Sequence, residues 1–338
     1  MRNQLGALLL FVVFLDPFTG GALAQNQSGT TVVPARLETE ILKTIVFITV
    51  DARKPGRLGR SFPYSGTGFL VSVPDDRLPL IPPDRTNVYL VTNRHIAQGI
   101  DQDEKGNCET LQIDKMYVRL NLKIPVNGIR AEKVQLEISS GIHWYFPQDP
   151  AIDLAVLPVV VTEKYDFRYV ALGQMLTSNI LKQKNVVPGD RVLTGGFYSG
   201  YEGLYEIQPI LREGVLAMIP DGPMMTTMCA PGNVYLADLH IIPGNSGSPI
   251  FVIPTLGLGA SVGLGGVPNT FGLLGVVSGY MFETASLTLR ASTTWTGTLN
   301  SNSGITMMMT AQQLSDLLNI PELQRRRHGE PFPIQIIQ

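Results

Sequence analysis

The stretch Pro243-Gly244-Asn245-Ser246-Gly247-Ser248-Pro249, followed at once by the apolar run Ile250-Phe251-Val252-Ile253, constrains this chain more than any other. Glycines on both sides of Ser246 let the backbone turn sharply. N–H groups around such a turn can converge on one oxygen, and the apolar run that follows reads as a buried strand. A serine held in this way is a candidate nucleophile, but its hydroxyl needs a base and the base needs an orienting acid. Both have candidates upstream. Val88-Tyr89-Leu90-Val91-Thr92-Asn93-Arg94-His95 is a strand that delivers a histidine to its end. Asp149-Pro150-Ala151-Ile152-Asp153 sets Asp153 at the mouth of another apolar run, Leu154-Ala155-Val156-Leu157.

The rest of the chain reads as β-structure. Gly 34, Pro 24 and only 16% charged residues suit a turn-rich β protein better than a helical bundle, and 44% hydrophobic residues exclude a disordered chain. Strands are expected over residues 42–50, 66–73, 88–92, 116–122, 134–138 and 153–161, with a polar loop at 101–109. A linker then runs to residue 183. Further strands are expected at 186–193, 211–217, 233–237, 272–280 and 305–309, with 284–304 as an extended loop or hairpin. A helix over 310–318 carries Leu314, Leu317 and Leu318 on one face. The 338 residues suffice for one large or two small domains.

The first residues read as a secretory signal peptide, 1–24, with cleavage before Gln25 and a polar leader over 25–37. Arg2 supplies the charge, residues 6–15 the apolar segment and Ala22-Leu23-Ala24 the small-residue cleavage pattern. That segment is far short of the ~20 residues that span a bilayer, so no stable membrane span is expected. A net charge of -2 gives no electrostatic case for nucleic acid. Export permits a disulfide between Cys108 and Cys229, but a single pair is no framework, and spacing leaves their pairing open.

Three segments in the order His95, Asp153, Ser246 carry a likeness. Thr92-Asn93-Arg94-His95, Asp153-Leu154-Ala155-Val156-Leu157 and Gly244-Asn245-Ser246-Gly247 together resemble the trypsin-like (chymotrypsin-fold) serine peptidases, and within them the HtrA/Deg type. Secondary matches extend the resemblance over about residues 66–318. It implies an all-β fold of two six-stranded antiparallel β-barrels, at 38–165 and 184–310, closed by a C-terminal helix and tail at 311–338. It implies peptide-bond hydrolysis through an acyl-enzyme on Ser246, with His95 as general base, Asp153 orienting it, a polypeptide substrate and no cofactor. The oxyanion hole would lie at Gly244, Asn245 and Ser246, its donors the N–H groups of Gly244 and Ser246. His240 would sit at the base of the primary pocket, lined by Ser278, Gly279 and Tyr280. With no carboxylate there, a small or medium apolar side chain is the expected choice, or an acidic one through His240.

The resemblance has departures. Asn245 stands where zymogen-type relatives carry an aspartate, so activation by a freed N-terminal ammonium is not expected. Nothing after residue 318 is long enough for a PDZ module, and no cysteine lies beside His95. Ser248 replaces a second glycine and would strain the turn at positive φ. An inactive peptidase-fold module that binds peptides or a partner is therefore the alternative, and an esterase with the same residues a further one. His143 reads as packing or surface, Arg325-Arg326-Arg327-His328 as a solvated tail, and residues 257–266 as a loop without phosphate-loop features. No His, Cys, Asp or Glu cluster has metal-ligand spacing.

Overall fold

The computed structural model describes residues 37–54, 61–75, 86–102, 107–139, 141–253, 272–290, 294–329 and 333–338. The expected signal peptide, nearly all of the polar leader and the stretch 257–266 lie outside the described residues.

The first half opens with a short helix, α1 (Leu37–Leu42), where the sequence suggested leader and strand. Thr44 closes it, donating its N–H and its hydroxyl to Ile41 O at 2.9 and 2.7 Å, so β1 (Ile45–Arg53) starts three residues later than expected. Then come β2 (Phe62–Pro74), β3 (Thr86–Thr92) and the one-turn helix α2 (Arg94–Gln98). Residues expected as a polar loop instead carry an antiparallel pair, β4 (Ile100–Gln102) and β5 (Cys108–Thr110). The half is completed by β6 (Gln112–Val126), β7 (Ile129–Gln135) and β8 (Ala155–Val161).

Six antiparallel strands follow the order β8-β3-β2-β1-β6-β7 and bend into a nearly closed barrel. β7 and β8 do not pair, and the outer edge of β8 is occupied by other segments. Tyr145 exchanges two backbone hydrogen bonds with Val156, at 2.8 and 3.0 Å. Farther along, the chain's last strand lies parallel to Val159–Val161. Both slots are filled, and the gap is bridged: Gln335 of that last strand accepts a 2.7 Å hydrogen bond from Glu137 N, just beyond β7.

The expected linker has structure. β9 (Val170–Ala171) runs parallel to β2, a 3₁₀ turn spans Leu172–Gln174, and α3 (Ser178–Gln183) follows. The second half contains β10 (Arg191–Gly196), β11 (Ile210–Met218), the short pair β12 (Met224–Met225) and β13 (Pro231–Gly232), then β14 (Tyr235–Asp238) and β15 (Pro249–Val252). β16 (Gly272–Arg290) and β17 (Thr294–Thr310) form one long hairpin, which absorbs the expected loop at 284–304. Six of these strands close a barrel in the order β10-β11-β14-β17-β16-β15.

A cluster of buried side chains joins the halves. Phe69, Val91 and Val156 come from the first, and Phe251, Val276 and Met309 from the second, with Leu314, Leu317 and Leu318 of helix α4 (Ala311–Leu318). The buried leucines recur at helical spacing, and each contributes ~1.5–3 kcal/mol by leaving water. Thr310 and Gln313 cap the helix reciprocally: Gln313 N donates to Thr310 Oγ1 at 3.2 Å and Thr310 N to Gln313 Oε1 at 2.8 Å.

The arginine-rich tail departs most from its sequence reading. It forms α5 (Pro321–Arg327), then β18 (Gln335–Ile337), the strand on the edge of β8. Arg327 is buried, and its guanidinium donates to Leu318 O at 2.6 Å and Asn319 Oδ1 at 3.0 Å, capping the C-terminus of α4. Arg327→Ala should therefore lower the unfolding free energy by about 1–3 kcal/mol, because it orphans a buried carbonyl. Urea titrations should show that loss for Arg327→Ala and a much smaller one for the exposed Arg325→Ala.

Candidate active site

The two residues before His95 hold down the segment that ends in Asp153. Asn93 is fully buried and donates from Nδ2 to Asp153 O at 2.8 Å. Arg94 donates to Asp149 O and Pro147 O, at 3.1 and 2.6 Å, with its guanidinium 5.1 Å from the centroid of the Phe146 ring. Burial pushes the Arg94 guanidinium below its ordinary range, against the opposing pull of Asp153 and Asp149. The Thr-Asn-Arg-His segment thus carries the histidine and also clamps the loop bearing its partner.

Asp153 is fully buried. Its Oδ1 accepts from His95 N at 2.9 Å and its Oδ2 from His95 Nδ1 at 2.7 Å. An ionised carboxylate only accepts, so the facing Nδ1 carries the proton and a neutral ring presents Nε2 as a base. Two hydroxyls from the second barrel complete the set: Ser278 Oγ at 2.6 Å and Thr227 Oγ1 at 2.9 Å, both on Oδ2. Burial pushes the carboxyl up, but the His95 charge and the hydrogen bonds from His95 and Ser278 outweigh it and hold it below the ordinary carboxylate range.

The serine turn is fixed from several sides. Gly244 and Gly247 have φ of +98° and +87°, which side-chain-bearing residues rarely adopt. A Cβ on Gly247 would lie 1.9 Å from Thr67 O. Thr67, between two glycines of β2, reaches across from the first barrel. Its N–H donates to Ser246 O at 2.8 Å, and its hydroxyl donates to Gly244 O at 2.7 Å while accepting from Phe197 N at 2.8 Å. Asn245 donates its backbone N–H to Ile242 O, accepts on Oδ1 from Ile242 N, and donates from Nδ2 to Phe197 O at 2.7 Å.

Asn245 thus holds the turn through local hydrogen bonds, and its own N–H is engaged. The N–H groups of Gly244 and Ser246 have no hydrogen-bond partner among the described residues. Ser248 corrects an expectation, because it does not have positive φ and so does not strain the turn. Its buried hydroxyl has no partner among the described residues.

Ser246 Oγ lies 3.4 Å from Ser278 O, to which it donates. It makes no hydrogen bond to His95 in this rotamer. Ser278, expected on a pocket wall, is buried and turns its hydroxyl to Asp153. Gly279 and Tyr280 continue the strand half-buried, with the Tyr280 ring edge-on to Phe282 at 5.1 Å between centroids. His240 is exposed. The two cysteines form a disulfide, Cys108–Cys229, and His143 packs against Tyr145 with ring centroids 4.7 Å apart.

Sequence reasoning missed Thr67 and Thr227. The paired glycines at 66 and 68 were the available signal for Thr67, since they mark close backbone approach. Thr227 has only its position two residues before Cys229.

Residues 66–253 match the family model described as the trypsin-like peptidase domain. Among solved structures, Deg5 matches at 19% identity and a TM-score of 0.36, over 63% of this chain and 76% of that one. The HtrA-type protease AlgW, solved with a decapeptide, matches at 15% and 0.40, over 86% and 66%. The Rv3671c protease in its inactive form matches at 15% and 0.37, over 82% and 88%. No curated protein sequence matches significantly.

Two outcomes follow from this geometry. A carboxyl depressed on folding stabilises the protein fully above its unfolded value, ~3.9, and the contribution is lost as pH falls through the lower folded value. Urea titrations of the wild type should lose stability as pH falls below ~4, and Asp153→Asn should flatten that edge. Asn245→Asp would set a buried carboxylate oxygen against Phe197 O, an acceptor facing an acceptor. It should cost about 3 kcal/mol, read as a lowered melting temperature near neutral pH and partly recovered on acidification.

Proposed function

We infer the reaction from one premise: the chain belongs to the trypsin-like peptidase family, whose domain matches residues 66–253. We propose that it is an exported serine endopeptidase. Ser246 is the nucleophile, His95 the general base and Asp153 the group that orients and charges the imidazole. The carrying observation is the fully buried Asp153 with its oxygens on His95 N and Nδ1 at 2.9 and 2.7 Å, which leaves Nε2 free to accept a proton.

Rotation about the Ser246 side-chain bond moves Oγ from Ser278 O towards Nε2. Its proton passes to His95 as Oγ attacks the peptide carbonyl carbon. The resulting oxyanion accepts from Gly244 N–H and Ser246 N–H, the two backbone donors of the turn with no partner among the described residues. Collapse breaks the C–N bond, and His95 returns the proton to the leaving amine. Water then attacks the acyl-enzyme by the same route, releasing the acid and regenerating Ser246. The substrate is polypeptide. With His240 at the pocket and no carboxylate paired to it, small or medium apolar residues before the cleaved bond are favoured, with acidic ones next.

Export rests on the charged, apolar and small-residue pattern of residues 1–24, and the Cys108–Cys229 disulfide suits an oxidising compartment.

Wild type and Ser246→Ala should be incubated with a denatured protein mixture and the new termini mapped by mass spectrometry. The wild type should cleave, and the variant should fall by several orders of magnitude with an unchanged melting temperature. Wild-type rates should drop on acidification, since a protonated imidazole cannot accept the hydroxyl proton. Equal cleavage by Ser246→Ala would place the nucleophile elsewhere, and a map dominated by Lys and Arg would refute the specificity.

A further inference from the structure

Two hydroxyls on the buried Asp153 carboxylate, those of Ser278 and Thr227, take no part in the proton transfers proposed for His95 and Ser246. Thr227 Oγ1 lies 2.9 Å from Asp153 Oδ2 and 2.6 Å from Ser278 Oγ, which is itself 2.6 Å from Oδ2. Three oxygens thus form a triangle whose three edges share two hydroxyl protons. Either both hydroxyls donate to the carboxylate, or one donates to the other, which donates to the carboxylate. In every arrangement the Thr227 hydroxyl belongs to the network on Oδ2, either donating to it directly or donating to the Ser278 hydroxyl that does.

The loop bearing Thr227 is built to keep that hydroxyl in place. It joins β12 to β13 and is folded on itself by Thr226, whose hydroxyl donates to Ala230 O at 2.9 Å and accepts from Met228 N at 3.2 Å. Cys229 has φ of +56°, a conformation uncommon for a side-chain-bearing residue, and its disulfide runs to Cys108 on β5. Gln102 of β4 donates to Thr227 O at 3.2 Å. β4 and β5 follow the His95 helix directly, through Gly99, so the loop is tied covalently and by hydrogen bonding to the hairpin just past the proposed base. On its other side the Thr227 methyl faces Gly279, where an added Cβ would lie 2.7 Å from Cγ2.

We propose that Thr227 is a positioning residue: its hydroxyl locks the rotation of the Asp153 carboxylate and draws charge from Oδ2. This rests on the reading of His95 and Asp153 as base and orienting acid. Loss of the hydroxyl leaves the carboxylate less fixed and more strongly negative towards the imidazolium. Among the described residues, the charged and titratable groups near this site include His95 and Asp153 themselves, Arg94 and Asp149 on the loop side, and Tyr64 and Asp101 beyond Ile96. The second barrel faces Oδ2 with the neutral hydroxyls of Thr227 and Ser278. Substitution of Thr227 changes none of the formal charges, so a shift in pH dependence reports the lost donor.

The test compares wild type, Thr227→Val and Thr227→Ser in peptide hydrolysis across pH, with melting temperatures. Valine keeps the shape and deletes the hydroxyl, whereas serine keeps the hydroxyl and deletes the methyl. Thr227→Val should lower kcat about tenfold with KM unchanged and move the acid limb of the kcat/KM profile to higher pH. Thr227→Ser should restore both to within about twofold of wild type. A Thr227→Val enzyme with wild-type kcat and acid limb overturns the proposal, as does a loss that serine does not restore. Fluorophosphonate labelling of Ser246 in the wild type checks the underlying reading separately. Should labelling fail, the low-field Nδ1 proton resonance of His95 decides for Thr227: it should move further downfield in Thr227→Val and return in Thr227→Ser, and an unmoved signal overturns the proposal.

Discussion

A carboxylate taken wholly out of water is costly unless donors replace its hydration, and Asp153 imposes that demand on the whole structure. No single segment can meet it. The first barrel provides the backbone N–H and ring nitrogen of His95, and the second provides the hydroxyls of Ser278 and Thr227. The barrels are thereby joined through a polar centre as well as through the apolar cluster behind it. Displacing one barrel would strand a buried charge, so the same interaction that orients His95 also resists separation of the halves.

The Ser246 turn is held on the same plan. Thr67 of β2 meets Gly244 and Ser246, and Asn245 meets Phe197 just past β10, so segments from both halves fix one short turn. Gly244 and Gly247 serve this approach in different ways. Both supply positive φ, and Gly247 also leaves room for Thr67 O, where any Cβ would collide. The glycines that make the stretch conspicuous in the sequence are thus required by contacts that the sequence does not display.

What was legible from residues alone follows that distinction. His95 after a buried strand, Asp153 before an apolar run and Ser246 between glycines are local patterns; His95 falls in α2 just past β3, Asp153 two residues before β8 and Ser246 in a turn. Most strands were found, because burial imposes alternation or unbroken apolar runs on their own sequences. Relations between distant segments were not legible. Arg325-Arg326-Arg327 is a charge run, which usually means solvent; only the fold brings Leu318 O within 2.6 Å of Arg327. The final strand carries no sign that it will lie on β8, and Thr227 stands 74 residues from the carboxylate it meets. The pair β4–β5 and the helix α1 were missed for another reason: they are too short for any period to emerge.

Asn245 holds its turn without a net charge. A carboxylate at this buried position would need a cation, and a freed chain end is one way to supply it. The amide has no such need. Its oxygen accepts from Ile242 N and its nitrogen donates to Phe197 O, so both polar ends are satisfied without a net charge. Thr67 satisfies Gly244 O, and Gly247 and Ser248 exchange hydrogen bonds with Val277. Every one of these partners lies between residues 67 and 277, on strands of the two barrels or on the loops that follow them. The shape of the turn is therefore set by the folding of the barrels themselves, and the N–H groups of Gly244 and Ser246, unpartnered among the described residues, are oriented by that same folding.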